Sequence, residues 1–485
     1  MMPTVKGGQL KVLTKDQIEK IHYVSLYVLE NVGVKIQEEN ALEILDDVGA
    51  NVDLKTQVVK IPSHLVEEAV KKAPNKIILS GKTSEYDLEL ADTNVYTFSG
   101  GSLVYVLDLE GRHRLATLKD LEDLTRLQDR LENPHLMHCT VIPSDVPIPG
   151  CSLIRYVTTT KNTWKHTFAD AEGKQGVRDL VKLASIITGD EEEVRKKHVF
   201  TTCSCLVSPL KQNRESVEVI IEAARYNIPN IIDAMPLAGG TAPVTLAGLL
   251  VQQNANILCG VMIAQLVNPG APCIYGSAAG IMDMRTGNIS GAAPEEGLIA
   301  AASAQIAHYY GLPCMTGIGL DSKIPDQQAG YERGINFLTH ALGGTNLYVD
   351  ATGALEQERL CSYEQVVIDN EILQMVYRIL KGIKVTDETL AVDVIEKVGP
   401  LGTHFLSQEH TRKYMRKEFW FPDLTDRNRW KAWEKMGAKD IRERAREKAK
   451  KILKEHWPKP LPKDIEKDLD RAAREAQKRL LKTQK

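Results

Sequence analysis

The sequence predicts an α/β fold, a (β/α)8 TIM barrel with an N-terminal α+β cap and a helical, Trp-rich C-terminal extension. Three observations predict it: short apolar runs recur at the spacing of one strand–helix unit, turn-forming residues break the helices just before several of them, and no glycine fingerprint of a doubly wound nucleotide-binding sheet occurs. Candidate strands begin near Leu136, Lys165, His198, Asn230, Pro272, Pro313 and Asn346, at intervals of 29, 33, 32, 42, 41 and 33 residues. Tyr226-Asn-Ile-Pro, Asn268-Pro-Gly-Ala-Pro and Tyr310-Gly-Leu-Pro each end a helix ahead of a strand. A weak eighth strand is expected near Thr403–Leu406.

Ahead of the repeat, Thr14 with Asp16 and Gln17 caps an amphipathic helix through Ile18, Ile21, Val24, Leu26 and Leu29 that stops near Asn31 and Gly33. A second helix is expected at Asn40–Val48, and Pro62-Ser63 opens a third at His64–Lys72. Alternation around Lys76–Ser80, Asp87–Leu90 and Asn94–Phe98 predicts short strands. Residues 1–132 are therefore read as the cap, 133–411 as the barrel and 412–485 as the extension.

The extension begins with Phe419-Trp-Phe-Pro422, Trp430 and Trp433, followed by helices at Asp440–His456 and Lys463–Leu481 around Pro458, Pro460 and Pro462. From Ile441 to Lys485 there are 16 Lys/Arg and 8 Asp/Glu, a local +8 that leaves −11 for the rest of a chain of net −3. This segment reads either as packing on the barrel or as a docking surface for a partner protein.

A chain with 43% hydrophobic and 26% charged residues is not disordered. A near-balance of 61 basic and 64 acidic residues gives no field for nucleic acid. The eight cysteines are not needed as staples at this length, so a reducing, cytoplasmic setting is expected. Neither a signal peptide nor a run of about 18 apolar residues is seen, so no membrane contact is expected, and a homo-oligomer is left open.

In a barrel the reactive groups sit at strand ends. Those positions hold His138 and Thr140, His166 and Asp170, Cys203 and Cys205, Asp233, Tyr275 and Ser277, Asp321, and Asp350. His166 and Asp170, four apart in an extended segment, form a candidate acid–base pair or a plain hydrogen-bonded histidine. Cys203-Ser-Cys205 raises a zinc site, but no second cysteine pair or nearby histidine pair completes four ligands, so no metal is expected. The polar loop Gly317–Arg333, with Pro325 and a capping Asp326, is a natural catalytic face or a solvated connection. In Asn336–Gly353, His340 is either a core histidine or a proton donor.

Tyr275-Gly-Ser-Ala-Ala-Gly-Ile-Met-Asp-Met-Arg-Thr-Gly287, Gly291-Ala-Ala-Pro-Glu-Glu and Asp321-Ser-Lys-Ile-Pro-Asp-Gln-Gln-Ala-Gly-Tyr-Glu332 together resemble the trimethylamine methyltransferase family, a likeness that extends over nearly the whole chain. The resemblance implies a (β/α)8 barrel that moves a methyl group from an amine to the cobalt of a separate corrinoid protein. The cobalamin is carried by that partner, and the chain itself binds no cofactor. It also implies an anaerobic methyl metabolism of the methanogenic or acetogenic type. The family's trimethylamine enzymes carry pyrrolysine, whereas Thr316–Lys323 here holds ordinary residues. The expected substrate is then a quaternary amine: glycine betaine, proline betaine, carnitine or γ-butyrobetaine.

A quaternary nitrogen cannot accept or donate a hydrogen bond, so aromatic faces and carboxylates must hold it. The expected cage is Tyr96, Phe98, Tyr275, Tyr331 and Tyr348, with Asp321, Asp350 or Glu356 balancing the charge; Asp321 and His340 are the expected catalytic pair. A substrate carboxylate would meet His340, Lys323, Arg333 or the N–H groups near Ser99-Gly100-Gly101. The alternatives are a barrel lyase or aldolase-like enzyme using Lys165 or Lys323, a trimethylamine-type methyl donor enzyme lacking pyrrolysine, and a non-enzymatic binding protein.

Overall fold

The computed structural model describes residues 1–399, 402 and 404–483. Its centre is a curled sheet with eight parallel strands: β1 (Asn94–Thr97), β2 (Leu136–His138), β3 (His166–Phe168), β4 (Phe200–Leu206), β5 (Asn230–Ala234), β6 (Cys273–Ser277), β7 (Cys314–Thr316) and β8 (Leu347–Tyr348). Pairing runs from β2 to β8 in chain order and then from β8 to β1, where a ninth strand, Val5–Lys6, adds antiparallel. One parallel bridge, Phe98 to Leu136, links β1 with β2, and the His135 N–H donates to Thr97 O at 2.8 Å.

The seven expected strands after residue 133 are present. The eighth member of the parallel set is Asn94–Thr97, from the segment assigned to the cap, so the boundary at 132 divides the sheet. Thr403 lies outside the described residues, and Phe405–Ser407 is a single 3-10 turn. Asn94–Thr97 is short, and its alternation is the same whether it pairs inside a cap or with β8, so only its partner distinguishes the two.

Inside the curl, Tyr96, Phe98, Leu136, Phe168, Ile231, Ile274, Met315 and Leu347 form one buried cluster. The hairpin Ile77–Leu79 with Leu88–Leu90 adds Ile77, Leu79, Leu88 and Leu90 to it and plugs the amino-terminal end. Outward-facing residues meet the helix layer. Helix Leu246–Val267 is long and apolar enough to cross a membrane by length and composition, and it is apolar here because it is packed between the sheet and the cap helices Lys15–Tyr27 and Ser63–Val70. Thr14 and Gln17 form the reciprocal cap expected for the first of these.

The extension packs on the outer helices. Helix Ile441–Glu455 buries Ala445 and Ala449 against Leu118–Arg130 and Tyr363–Leu380, and helix Lys463–Thr483 buries Leu469, Ala473 and Ala476 against Cys151–Lys161 and Gly173–Thr188. Part of its positive charge meets acidic groups beneath: Arg442 and Arg446 pair with Glu364, and Arg479 with Asp179. The two helices follow the packing reading, while Phe419, Phe421 and Trp430 at the entry to the extension stay exposed.

A buried ion pair joins two helices to β8. The Arg333 Nε donates to Asp369 Oδ1 at 3.1 Å, both side chains are fully buried, and Arg333 Nη1 donates to the Tyr348 hydroxyl at 2.8 Å. Asp369 also accepts from the Gly353 N–H at 2.7 Å. Asp369→Ala should therefore lower unfolding free energy by about 3–5 kcal/mol in urea titration, because a guanidinium is left without a counter-charge. Replacing both partners by leucine should cost less than the single change.

Candidate active site

Five strand ends and one loop deliver a set of acidic, sulfur and imidazole groups to the carboxyl-terminal mouth of the curl. From β4 come Cys203 and Cys205, whose sulfurs are 3.7 Å apart. On β5, Asp233 stands in register with Cys205, and its carboxylate lies within 4.8 Å of both sulfurs. Gly276 on β6 leaves the room: a Cβ there would sit 2.7 Å from Asp233 Cα and 2.8 Å from Ile231 Cγ2. The Ala278 N–H donates to Asp233 Oδ1 at 3.1 Å, and burial pushes the Asp233 carboxyl up to about 6. The hydrogen bond with Cys205 and then burial keep the Cys203 thiol protonated well above its usual range.

Asp350, just past β8, accepts from the Gly101 N–H at 3.0 Å with its own backbone at φ 53°. Its neighbour there is the Glu358 carboxyl. Glu358 ends a run of three left-handed residues, Glu356 (φ 50°), Gln357 (φ 55°) and Glu358 (φ 66°). Such a run costs about 1 kcal/mol or more per residue and persists only where contacts impose it. Here the Glu356 N–H donates to Ser322 O at 2.9 Å, the Gln357 N–H to Leu320 O at 2.8 Å, and the Gly319 N–H to Glu358 Oε1 at 3.3 Å. Burial, then the neighbouring charges of Asp350 and Asp233, raise the Glu358 carboxyl well above the usual range.

The adjoining wall, at the ends of β2 and β3, is His138 with Asp170. His138 Nε2 lies 3.4 Å from Asp170 Oδ1, while Arg155 Nη1 and Ser102 Oγ donate to Asp170 Oδ2 at 2.8 and 3.0 Å. Arg155 therefore holds the Asp170 carboxyl far below the carboxylate range against the opposing effect of burial. The His138 ring stands edge-on to Phe168 at 4.3 Å, and Phe98 lies 5.9 Å from Phe168. Gly101 must be glycine, because a Cβ would fall 1.5 Å from His138 Nδ1.

Of the expected site residues, Asp350 is at the mouth and Phe98 lines the interior. Glu356 is at the rim, 4.0 Å from His113, two residues from the carboxylate that does enter. The other aromatics do not converge. Tyr275 and Tyr348 occupy the outward phase of their strands: the Tyr275 hydroxyl donates to Asn254, and Tyr348 packs on Phe337. Tyr96 faces the plugged end, where its hydroxyl accepts from the Glu89 N–H at 3.4 Å, and Tyr331 is 58% exposed on a helix.

The expected catalytic pair is also dispersed. Asp321 accepts from Ser290 Oγ at 2.6 Å and the Gly291 N–H at 3.1 Å, fastening the loop ahead of helix Pro294–Tyr309. His340 is fully buried between Thr316 Oγ1 at 2.7 Å and Glu296 Oε2 at 2.9 Å, in the layer between sheet and helices. The proposed His166–Asp170 pair is absent: His166 contacts Ser80 O and Thr201 Oγ1, and Asp170 is taken by His138 and Arg155. Lys165 gives its ammonium to three carbonyls, of Gln128, Leu131 and Pro134, at the far end, and Lys323 bonds its own loop, so neither lysine suits a lyase.

Asp233, Cys203, Cys205, His138 and Asp170 were legible as strand-end positions. Glu358 was not, since nothing in Glu356-Gln-Glu-Arg359 distinguishes its three charged side chains, and Arg155 lies on a helix whose facing depends on the fold.

Titratable groups gathered at the carboxyl ends of parallel strands mark the place where α/β enzymes carry their sites. The model of the trimethylamine methyltransferase family (MTTB) matches residues 1–479. Curated relatives include the trimethylamine methyltransferase MttB of Desulfitobacterium hafniense strain DSM 10664 / DCB-2, 38% identical over 91% of this chain and 89% of its own. Another is the glycine betaine methyltransferase of D. hafniense strain Y51, 36% identical over 88% of this chain and 90% of its own. In fold, the chain is similar to the crystal structure of the Methanosarcina barkeri monomethylamine methyltransferase, with a TM-score of 0.53 and 11% identity over 93% of this chain and 89% of the other. The chain belongs to the trimethylamine methyltransferase family and is a methyltransferase.

The Glu358–Asp350 pair gives a pH test. A carboxyl with a raised folded pKa holds a proton that the unfolded chain releases, so its contribution to stability is present at low pH and is lost as pH rises above about 4.5 through the folded pKa. Glu358→Gln should therefore be more stable than the parent at pH 8 and no more stable at pH 4, read from urea midpoints at both.

Proposed function

We propose that the chain takes a methyl group from a quaternary amine of the betaine class (glycine betaine, proline betaine, carnitine or γ-butyrobetaine) and passes it to Co(I) of a separate corrinoid protein. In this reading the curled sheet is a closed (β/α)8 barrel, with the Phe98–Leu136 bridge as its seam and the mouth as the substrate chamber. The observation that carries the reading is the convergence of Asp233, Asp350 and Glu358 in a mouth whose nearby arginine, Arg155, is already paired with Asp170.

A fixed positive charge suits such a place. Its nitrogen needs no donor or acceptor, its methyls pack on Phe98 and Phe168, and its charge meets Asp350 and Glu358. The leaving group is a neutral tertiary amine, so no side chain must supply or remove a proton; the site has only to bind and aim the N-methyl carbon outward. The partner's cobalt supplies the strong nucleophile. Gly319 also supports the quaternary branch: a side chain there would meet the Glu358 backbone N at 2.8 Å, so Glu358 fills the space above a stretch that carries pyrrolysine in the trimethylamine enzymes.

The partner would dock on the rim. Ile148, Val207, Met235, Val244, Met284 and Ile324, from the loops after β2, β4, β5, β6 and β7, are all exposed around the mouth. The eight unpaired thiols and a Co(I) acceptor suit a reducing cytoplasm.

The test is anaerobic methyl transfer to a reduced corrinoid, followed by its visible spectrum, with each quaternary amine and trimethylamine supplied separately. Transfer from a quaternary amine and none from trimethylamine is expected; transfer from trimethylamine alone would overturn the reading. Asp350→Asn and Glu358→Gln should each raise KM about 10–100-fold, the loss of one close charge partner, whereas Tyr331→Ala should leave KM unchanged.

A further inference from the structure

Binding of an organic cation does not explain the two thiols of Cys203 and Cys205 beside Asp233. Sulfurs 3.7 Å apart span one edge of a tetrahedron whose metal–sulfur bonds are about 2.3 Å long. The third donor, the Asp233 carboxylate, comes from the adjacent strand, within 4.8 Å of both sulfurs. All three sit on β4 and β5, paired over five consecutive residues, Thr202 to Leu206 against Asn230 to Ala234, so their spacing is fixed by the ladder and not by a loop.

Two features point to a ligand. Asp233 is 5% exposed, and among the described residues no Lys, Arg or His lies within ion-pair distance of it. A buried carboxylate without a cation is costly: Asp170, just past β3, has Arg155, whereas Asp233 has backbone N–H donors alone. The Ala278 N–H also orients the Asp233 carboxylate, as the second layer around a metal commonly does.

We infer that Cys203, Cys205 and Asp233 hold one thiophilic divalent cation of the zinc type, with its fourth coordination position open to the mouth. Binding converts both thiols to thiolates and releases their two protons to solvent; no electron moves. Two thiolates, one carboxylate and a divalent cation sum to −1, so the mouth stays acidic with the metal bound. The inference is independent of the substrate reading, because its readout needs neither substrate nor corrinoid.

The experiment uses the full chain, prepared anaerobically, stripped with chelator and kept in a non-thiol reductant so that the sulfurs do not join as a disulfide. Zn2+ titrated by calorimetry should bind at one equivalent per chain, with proton release seen as a dependence of the heat on buffer ionisation enthalpy. Co2+ should give a sulfur-to-metal charge-transfer band. Cys203→Ser and Cys205→Ser should each abolish the band, and Asp233→Asn should weaken Zn2+ at least tenfold while Cys151→Ser changes nothing. Circular dichroism of the metal-free variants separates loss of the site from loss of the fold. Substoichiometric binding by the parent, or a band that survives in both folded serine variants, would overturn the site.

Discussion

The period of two along a parallel strand is the constraint on which the site depends. Each strand of the curled sheet gives alternate residues to the interior and to the helix layer, and a shift of one position exchanges them. On β4, Cys203 and Cys205 share the inner phase; on β5, Ile231 and Asp233 do; on β6, Ile274 and Gly276. The apolar members of these pairs lie toward the plugged end and the polar members toward the open end. The same strands therefore build a dry core below and an acidic mouth above without any change of register.

That alternation also separates what was legible in the sequence from what was not. Strand spacing, turn signals and caps gave the order of the elements, because each is a local property: Thr14 caps its helix whatever surrounds it. Strand-end polarity marked Cys203, Cys205, Asp233 and Asp350 for the same reason. The aromatic cage failed at Tyr275 and Tyr348 because phase within a two- to five-residue strand is set by its neighbours, and tyrosine is at home on either face. Asn94–Thr97 was placed in the wrong unit because its partner, β8, lies some 250 residues later, and pairing at that distance leaves no trace in a single sequence.

The carboxyl pair of Asp350 and Glu358 shows how the fold sustains an unfavourable local arrangement. Both residues are left-handed, Glu358 as the last of three in succession, and their charges repel. What holds them is backbone: N–H groups of Gly101 and Gly319 on the oxygens, and the carbonyls of Leu320 and Ser322 on the loop. Fixed dipoles thus hold the two carboxyls in place against their repulsion, and the strain of the loop is borne by the framework around it.

The buried network behind β7 explains why that framework stays still. Glu296, His340 and Thr316 line up with the spacings of a proton-relay triad, and Thr316 meets Thr345 at 2.6 Å, yet all four are shut away from solvent. The arrangement works as a fastening: satisfied donors and acceptors in a low-dielectric layer tie helices Pro294–Tyr309 and Gln327–Gly343 to the end of β7. The next residues are Gly317 to Leu320, whose N–H at Gly319 carries Glu358. Held in this network, His340 lets the loop that presents the carboxylate begin from a fixed point.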